Sequence, residues 1–318
     1  MGADLPDEPD VPPDRRDDHS GGGGRPGRSH GAEAETRSRE ECYVALRVKV
    51  AEEVSVTARQ VTAEEQAAAE KWDKDAEESR WMWSEYQRRW PPEERAQVKR
   101  PDDAPGSWRG EGERSLNYED NTRVEAACDQ IADREREKIS PAMRAVESQD
   151  PDRHLIGLDR CLKDRDRIKE KVSDTMEEDG YSAEEALSIV PDAIRYTFQY
   201  REAHYTQGVW ADVERLKGQG FELDKLRNTW VDDQYKGINS QWIDADSGQR
   251  FEVQFHSRIS YEAKQLTHDA YERLRTHQAD KFEELVLEAF QRKVTAEVPV
   301  PPGATDIPDI PERGLDAR

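Results

Sequence analysis

The run Phe251-Glu252-Val253-Gln254-Phe255-His256 alternates without exception between apolar and polar residues. An extended strand turns successive side chains to opposite faces, so Phe251, Val253 and Phe255 share one face and Glu252, Gln254 and His256 the other. A helix over the same residues would scatter the two sets. The chain must therefore build a sheet with one apolar and one polar face. The polar face lines up an acid, an amide and an imidazole, as an active site on a sheet floor requires. A solvated edge strand carries the same alternation, and the pattern alone leaves both readings open.

Around this strand, short apolar runs alternate with helical stretches. The spacing predicts a helix near 164 to 177, a strand near 193 to 199 and a helix near 205 to 218. Strands near 221 to 230, 235 to 243 and 250 to 256 come next, then a long helix from about 259 to 292. That order implies an α+β fold with a mixed sheet flanked by helices. The turn Asp244-Ala245-Asp246-Ser247-Gly248 joins its last two strands as a hairpin.

The foldable part is smaller than the chain, because only 34% of the 318 residues are hydrophobic while 37% are charged. Residues 1 to 39, with four consecutive glycines at Gly21 to Gly24, bury too little to repay ordering and read as a disordered tail. Residues 40 to 96 read as a helical region, with Pro91 and Pro92 closing a helix from about Glu40 to Trp90. Its loose stripe of Trp72, Trp81, Trp83, Tyr86 and Trp90 is expected to pack against a partner helix. Residues 97 to 117 read as a Pro/Gly-rich linker, Glu119 to the residue before Pro141 as a second helix, and 298 to 318 as a disordered Pro-rich tail.

With Lys+Arg 48 against Asp+Glu 70, the formal charge of -22 argues against tight sequence-independent nucleic-acid binding, although a local basic pocket is compatible with it. Cys42, Cys128 and Cys161 show no metal or disulfide spacing, which fits a reducing cytoplasm. No apolar segment suits a signal peptide or a membrane span, so any export would be non-classical.

Against that acidic background, Arg160, Lys163, Arg165, Arg167, Lys169 and Lys171 cluster within a few residues. Asp164, Asp166 and Glu170 interleave with them, as on a solvated, salt-bridged helix. On a helix, however, Lys163, Arg167 and Lys171 also form one basic stripe at i, i+4 and i+8. Asp192 opens the strand that begins near Ala193, where an Asp is ordinarily a cap. On neighbouring strands, Asp192 and Glu252 would be the carboxylate pair that Mg²⁺ takes together with substrate phosphates. Tyr235, beside Lys236 and Gly237, falls at the mouth of the same surface, where it either packs or stacks a base.

In order and spacing, several motifs resemble the synthetase domain of RelA/SpoT-type (p)ppGpp synthetases. They are Cys161-Leu162-Lys163 through Arg167 to Lys171, Asp192, Tyr235-Lys236-Gly237-Ile238-Asn239, Glu252 to His256, and Glu262 with His268. The likeness covers about 151 to 275 and is nearest to the divergent branch found as C-terminal toxin domains in actinobacterial proteins. It implies a nucleotidyltransferase-like synthetase fold over 118 to 297. It also implies a Mg²⁺-dependent pyrophosphokinase that moves the β,γ-diphosphate of ATP to the 3′-hydroxyl of a purine nucleotide. By that resemblance Arg160, Lys163, Arg167 and Lys171, with Lys225 or Arg227, hold phosphates. Asp192 and Glu252 bind magnesium, Glu252 also acting as base. Tyr235 stacks the acceptor base, and Lys236, Asn239, Gln254 and His256 line the acceptor site. The chain departs from the family pattern at Cys161, where an arginine is usual and Arg160 stands adjacent; at Arg167, where serine is typical; at Val231, where a lysine is usual; and in the short spacing from Asp192 to Arg195. No paired His-Asp hydrolase motif precedes the domain, so synthesis without degradation is expected. A degenerate nucleotide-binding module and an RNA-modifying toxin are the alternative functions.

Overall fold

The computed structural model describes residues 63–90, 105–110, 112–275 and 279–312. The expected tail at 1–39, the part of the first helix before residue 63, residues 91–96, residues 97–104 and 111 of the expected linker, residues 276–278 and the last residues of the C-terminal tail lie outside them. The first described element is helix α1, Ala63–Arg89. A small hairpin follows, β1 (Trp108–Arg109) with β2 (Ser115–Leu116), inside the stretch expected to be linker. Leu116 anchors it in the core.

Helix α2, Tyr118–Arg134, starts where Asn117 accepts from the Asp120 amide at 2.9 Å. It does not stop before Pro141 as the sequence predicts. A wide π-helical turn, Glu135–Ile139, carries the chain into helix α3, Ser140–Glu147, with Pro141 in its first turn, where its missing N–H costs nothing. Strand β3, Arg153–Ile156, precedes α4, Arg165–Asp179, and α5, Ala183–Ser188, which opens on a Ser182/Glu185 capping box. Strand β4 is Arg195–Tyr200, α6 is Tyr205–Gly218, β5 is Phe221–Asn228, β6 is Ile238–Asp244 and β7 is Arg250–Ser257. The long final helix of the sequence reading is two helices, α7 (Arg258–Arg275) and α8 (Lys281–Ala296), the second capped by Asp280.

The sheet order is β3-β4-β7-β6-β5, with β4 and β7 parallel and the other pairs antiparallel, so the mixed α+β architecture is as expected. Phe251, Val253 and Phe255 are buried with Tyr196, Phe198, Tyr200, Ile238 and Trp242. On this side packs α6, whose Tyr205 hydroxyl donates to the Phe255 carbonyl at 2.8 Å and whose Gly208 lies against the Tyr200 ring. Helix α7 lies against the sheet, with α1 and α8 packed on it in turn. The aromatic stripe of α1 finds its partner helices within the chain. The Trp72 indole donates to Glu262 of α7 at 2.7 Å, Tyr86 bonds Glu283 of α8, and Trp83 stacks on Phe290 at 5.3 Å. Trp81 alone of the stripe points to solvent.

The segment from Val298 to Glu312, expected to be disordered, is folded against β5. Val298, Ala304, Ile307 and Ile310 are buried, and Ile310 and Leu226 exchange both backbone hydrogen bonds, at 2.8 and 2.9 Å. The Asn228 side chain donates to the Ala304 and Ile307 carbonyls, and its backbone amide donates to Asp309. Proline-rich composition misleads here because a sheet edge accepts such a segment through a few anchor residues. No helix among the described residues is long and apolar enough to cross a membrane.

Candidate functional site

Paired residues on adjacent strands share a face, and the register therefore writes out the polar surface. One row reads Arg195, Glu252, Gln241 and Lys225 across β4, β7, β6 and β5, and the next reads Thr197, Gln254, Asn239 and Arg227. Asp192 sits in the single 3₁₀ turn Pro191–Ala193 just before β4, beside the start of this surface. The segment Cys161–Lys163 runs antiparallel to residues 193 to 195, with the Lys163 amide donating to the Ala193 carbonyl at 2.9 Å and the Arg195 amide to the Cys161 carbonyl at 2.7 Å. Lys163 thus lies in extended backbone ahead of Asp164, the N-cap of α4, and not on the helix as the stripe reading has it.

Asp192 is the hub. Its carboxylate takes Lys163 Nζ at 2.5 Å, Lys171 Nζ at 2.7 Å and Arg195 Nη2 at 2.9 Å. Arg195 Nε also lies 3.3 Å from Glu252 Oε1, so one guanidinium joins the two acids. Gln254 Nε2 donates to the same Glu252 oxygen. Burial alone would raise the Asp192 pKa, but Lys163 and Lys171 outweigh it and bring it down to about 2. Lys163 also moves down, to about 8, because burial outweighs its share of an anion that other cations use too.

Mg²⁺ favours hard oxygen donors in small number, supplemented by phosphate and water. Asp192 and Glu252 are the two carboxylates here that could supply such donors, and at present both are paired with Arg195. Among the described residues no group of three or more His, Cys, Asp or Glu gathers as a metal site, so a cation here would take its remaining oxygens from a ligand.

Other candidates from the sequence fall elsewhere. Arg160 is 85% exposed and pairs with Asp159, away from the cluster. Arg167 pairs with Glu170 on the solvent side of α4. Cys161 donates its thiol to Glu135 at 3.3 Å; burial first, then that bond, push its pKa up to about 11, so it stays protonated. Lys225 and Arg227 do share the polar face, but two strands or about 10 Å from Glu252. They pair with Glu312 and Asp232. Lys236 does not face an acceptor: its Nζ donates to the Trp230 and Asp232 carbonyls and closes the loop between β5 and β6. Glu262 is engaged by Trp72 and Arg258.

His256 is fully buried, contrary to its expected place against the acceptor. Burial, reinforced by the Lys264 charge, holds its pKa well below the usual histidine range, so the ring is neutral and carries one N–H. Tyr235 donates to Asn239 Oδ1 at 3.0 Å, which leaves His256 Nε2–H to donate to the Tyr235 oxygen at 2.8 Å and Nδ1 to accept from Ser260 at 2.9 Å. Tyr235 lies in the loop before β6, half-buried, and not in the strand as expected. Gly237 makes room for this chain: a Cβ there, at φ +154°, would come within 2.8 Å of the His256 ring. Tyr235→Phe is therefore expected to cost about 1–3 kcal/mol of stability in urea unfolding, because it strands a buried imidazole N–H. A loss below a few tenths would mean that the hydroxyl is exchangeable with water.

Sequence reasoning left two contributors out of the site, Arg195 and Lys264. The three-residue spacing from Asp192 was the available signal for Arg195. Tyr261, Lys264, His268 and Tyr271 recur at helical spacing on α7, and Lys264 Nζ reaches Gln254 Oε1 at 2.5 Å. That spacing does not turn Lys264 to the sheet, since His268 and Tyr271 of the same stripe are exposed.

Two solved structures are similar to this chain. The structure of smu.1046c from Streptococcus mutans UA159 is 16% identical, at a TM-score of 0.36, over 54% of this chain and 87% of its own. Small alarmone synthetase 1 from Bacillus subtilis, bound to its product pppGpp, is 12% identical, at a TM-score of 0.37, over 55% of this chain and 90% of its own. No protein-family model matches the sequence, and the comparison with curated proteins finds no match.

Proposed function

We propose that this chain is a nucleotide pyrophosphokinase, transferring the β,γ-diphosphate of ATP to the 3′-hydroxyl of a purine nucleotide. One observation carries the reading: Lys163, Lys171 and Asp192 join Arg195, Glu252 and Gln254 of the polar sheet face in a single connected run, with half-buried Tyr235 beside it. Phosphoryl transfer asks mainly for positioning and charge stabilisation, and this run supplies both. A triphosphate is a stronger partner for Lys163 and Lys171 than one shared carboxylate. Its arrival moves their contacts to phosphate oxygens and releases oxygens of Asp192. Asp192 and Glu252 would then hold Mg²⁺, which when bound polarises the phosphates. Arg195, fixed between both acids, stays close to the moving diphosphate. Glu252 takes the proton of the attacking ribose hydroxyl. Tyr235, anchored by His256 and Asn239, offers its ring to the acceptor base.

Cys161 favours a second reading. Its thiol is turned to Glu135 and Arg160 points to solvent, so no arginine occupies the place where the resembling family has one. A nucleotide-binding module without turnover is the function that fits this gap.

The deciding experiment incubates the full chain with Mg²⁺, ATP labelled in its terminal phosphate, and GDP, GTP, ADP or a second ATP as acceptor, then separates the nucleotides. Label appearing in a 3′-diphosphorylated nucleotide, with AMP formed in equal amount, supports the reading. Binding of ATP without AMP release supports the module instead. Activity should fall as pH rises through about 8, where Lys163 and Lys264 lose their protons, each held low chiefly by burial. Asp192 stays ionised throughout. Both lysines have folded pKa values below the unfolded 10.5, so between about 8 and 10.5 the unfolded state binds more protons and their contribution to stability rises with pH. Activity and stability should thus diverge over that window, as paired assays and urea titrations would record. Parallel loss of both would assign the alkaline limb to unfolding.

A further inference from the structure

Helix α7 brings one more cation to this surface. Lys264 stands one turn beyond Ser260, and the bond from Ser260 to His256 pins that end of the helix to β7. The lysine Nζ donates to Gln254 Oε1 at 2.5 Å and lies 5.6 Å from the centre of the Tyr261 ring. On its other side the Gln254 amide donates through Nε2 to Glu252 Oε1. An ammonium has only donors and an ionised carboxylate only acceptors. Placed between the two, the amide has one satisfied orientation: carbonyl oxygen to Lys264, NH₂ to Glu252. Gln254 is buried, so water cannot substitute for either partner. If the lysine is removed, the carbonyl oxygen has no partner and the amide gains freedom to turn away from Glu252.

We propose that Lys264 is a positioning residue for Glu252, acting through the Gln254 amide. The kinetic side of this inference rests on the pyrophosphokinase reading, and the structural side does not. The test uses the full chain and the variants Lys264→Met, Lys264→Arg, Gln254→Met and Lys264→Met/Gln254→Met. The first measurement, without substrates, follows the side-chain ¹H–¹⁵N amide pair of Gln254, assigned by its loss in Gln254→Met. It should be shifted and slow to exchange in the parent chain, move and exchange faster in Lys264→Met, and return towards the parent position in Lys264→Arg. An amide pair that Lys264→Met leaves in place overturns the proposal. The second measurement is transfer kinetics. Lys264→Met should lower kcat about 10- to 100-fold through misplacement of the reacting group. KM for donor and acceptor should stay within about threefold. In the Gln254→Met background the same change should cost less than about twofold. An equal loss in both backgrounds overturns the proposal, since Lys264 would then act without Gln254. If the parent chain transfers nothing, the function reading fails and the amide measurement still decides the role of Lys264.

Discussion

Glu252→Gln is expected to lower transfer by about 10³-fold, equivalent to roughly 4 kcal/mol of transition-state stabilisation, with little change in folding. The glutamine keeps an oxygen for Arg195 but removes the charge and the proton acceptor. Because Glu252 is partly exposed and its strand is held by Phe251, Val253 and Phe255, the fold has other support. Asp192→Asn should lose transfer to a similar extent yet behave differently in unfolding. It leaves Lys163, Lys171 and Arg195 around a neutral amide, and Lys163 is the most enclosed of these cations. Removing the anion should cost about 1–3 kcal/mol, near the lower end because Lys171 and Arg195 are partly solvated. Single-turnover assays with labelled ATP, paired with urea titrations, separate the two acids. Near-parental turnover in either variant would remove that residue from the chemistry.

The largest stability loss should come from the other side of the sheet. Asp212 of α6 is fully buried and accepts from the Tyr200 hydroxyl at 2.7 Å. It also holds Arg153 of β3 at 2.8 Å and Arg215 at 2.7 Å. Arg153 is 1% exposed and also donates to the Val146 carbonyl, so it ties β3 and α3 to α6. Asp212→Ala leaves that guanidinium buried without its main counter-charge, at a cost of about 3–5 kcal/mol. In urea the unfolding midpoint should fall by about 1–2 M. The double change Asp212→Leu/Arg153→Met should cost less than Asp212→Ala alone, since it removes both charges from the interior. If the single change costs under about 1 kcal/mol, water reaches Arg153 and the pair is not a tie.

Strict alternation at residues 251 to 256 made the sheet and its two faces legible, because a period of two admits one assignment of sides. Asp192 and Glu252 could be paired from sequence because one precedes and the other lies within a strand whose apolar residues mark the core. The cations were harder. Lys163 and Lys171 both reach Asp192 although they do not share the expected helix, so they meet at that carboxylate and not along the expected stripe. Nothing local distinguishes Lys236, which ties its own loop, from a ligand contact, and nothing in the spacing of His256 shows that α7 covers it. Lys264 lies on a distant helix, and its role depends on how that helix meets β7. Strand β3 is only a few residues long, too short for periodicity to register.

The strap that crosses β5 sets where this protein can be cut. A fragment ending near residue 297 would retain every residue of the connected run, yet it would lose the partners of Leu226 and Asn228 and bare the outer rim of the sheet. Bared rims recruit one another, and such fragments are prone to associate through their strands. Removing α1 would likewise uncover the aromatic seam along α7 and α8. The stretch from 63 to 312 is thus the piece to express for crystals, for labelling and for assays.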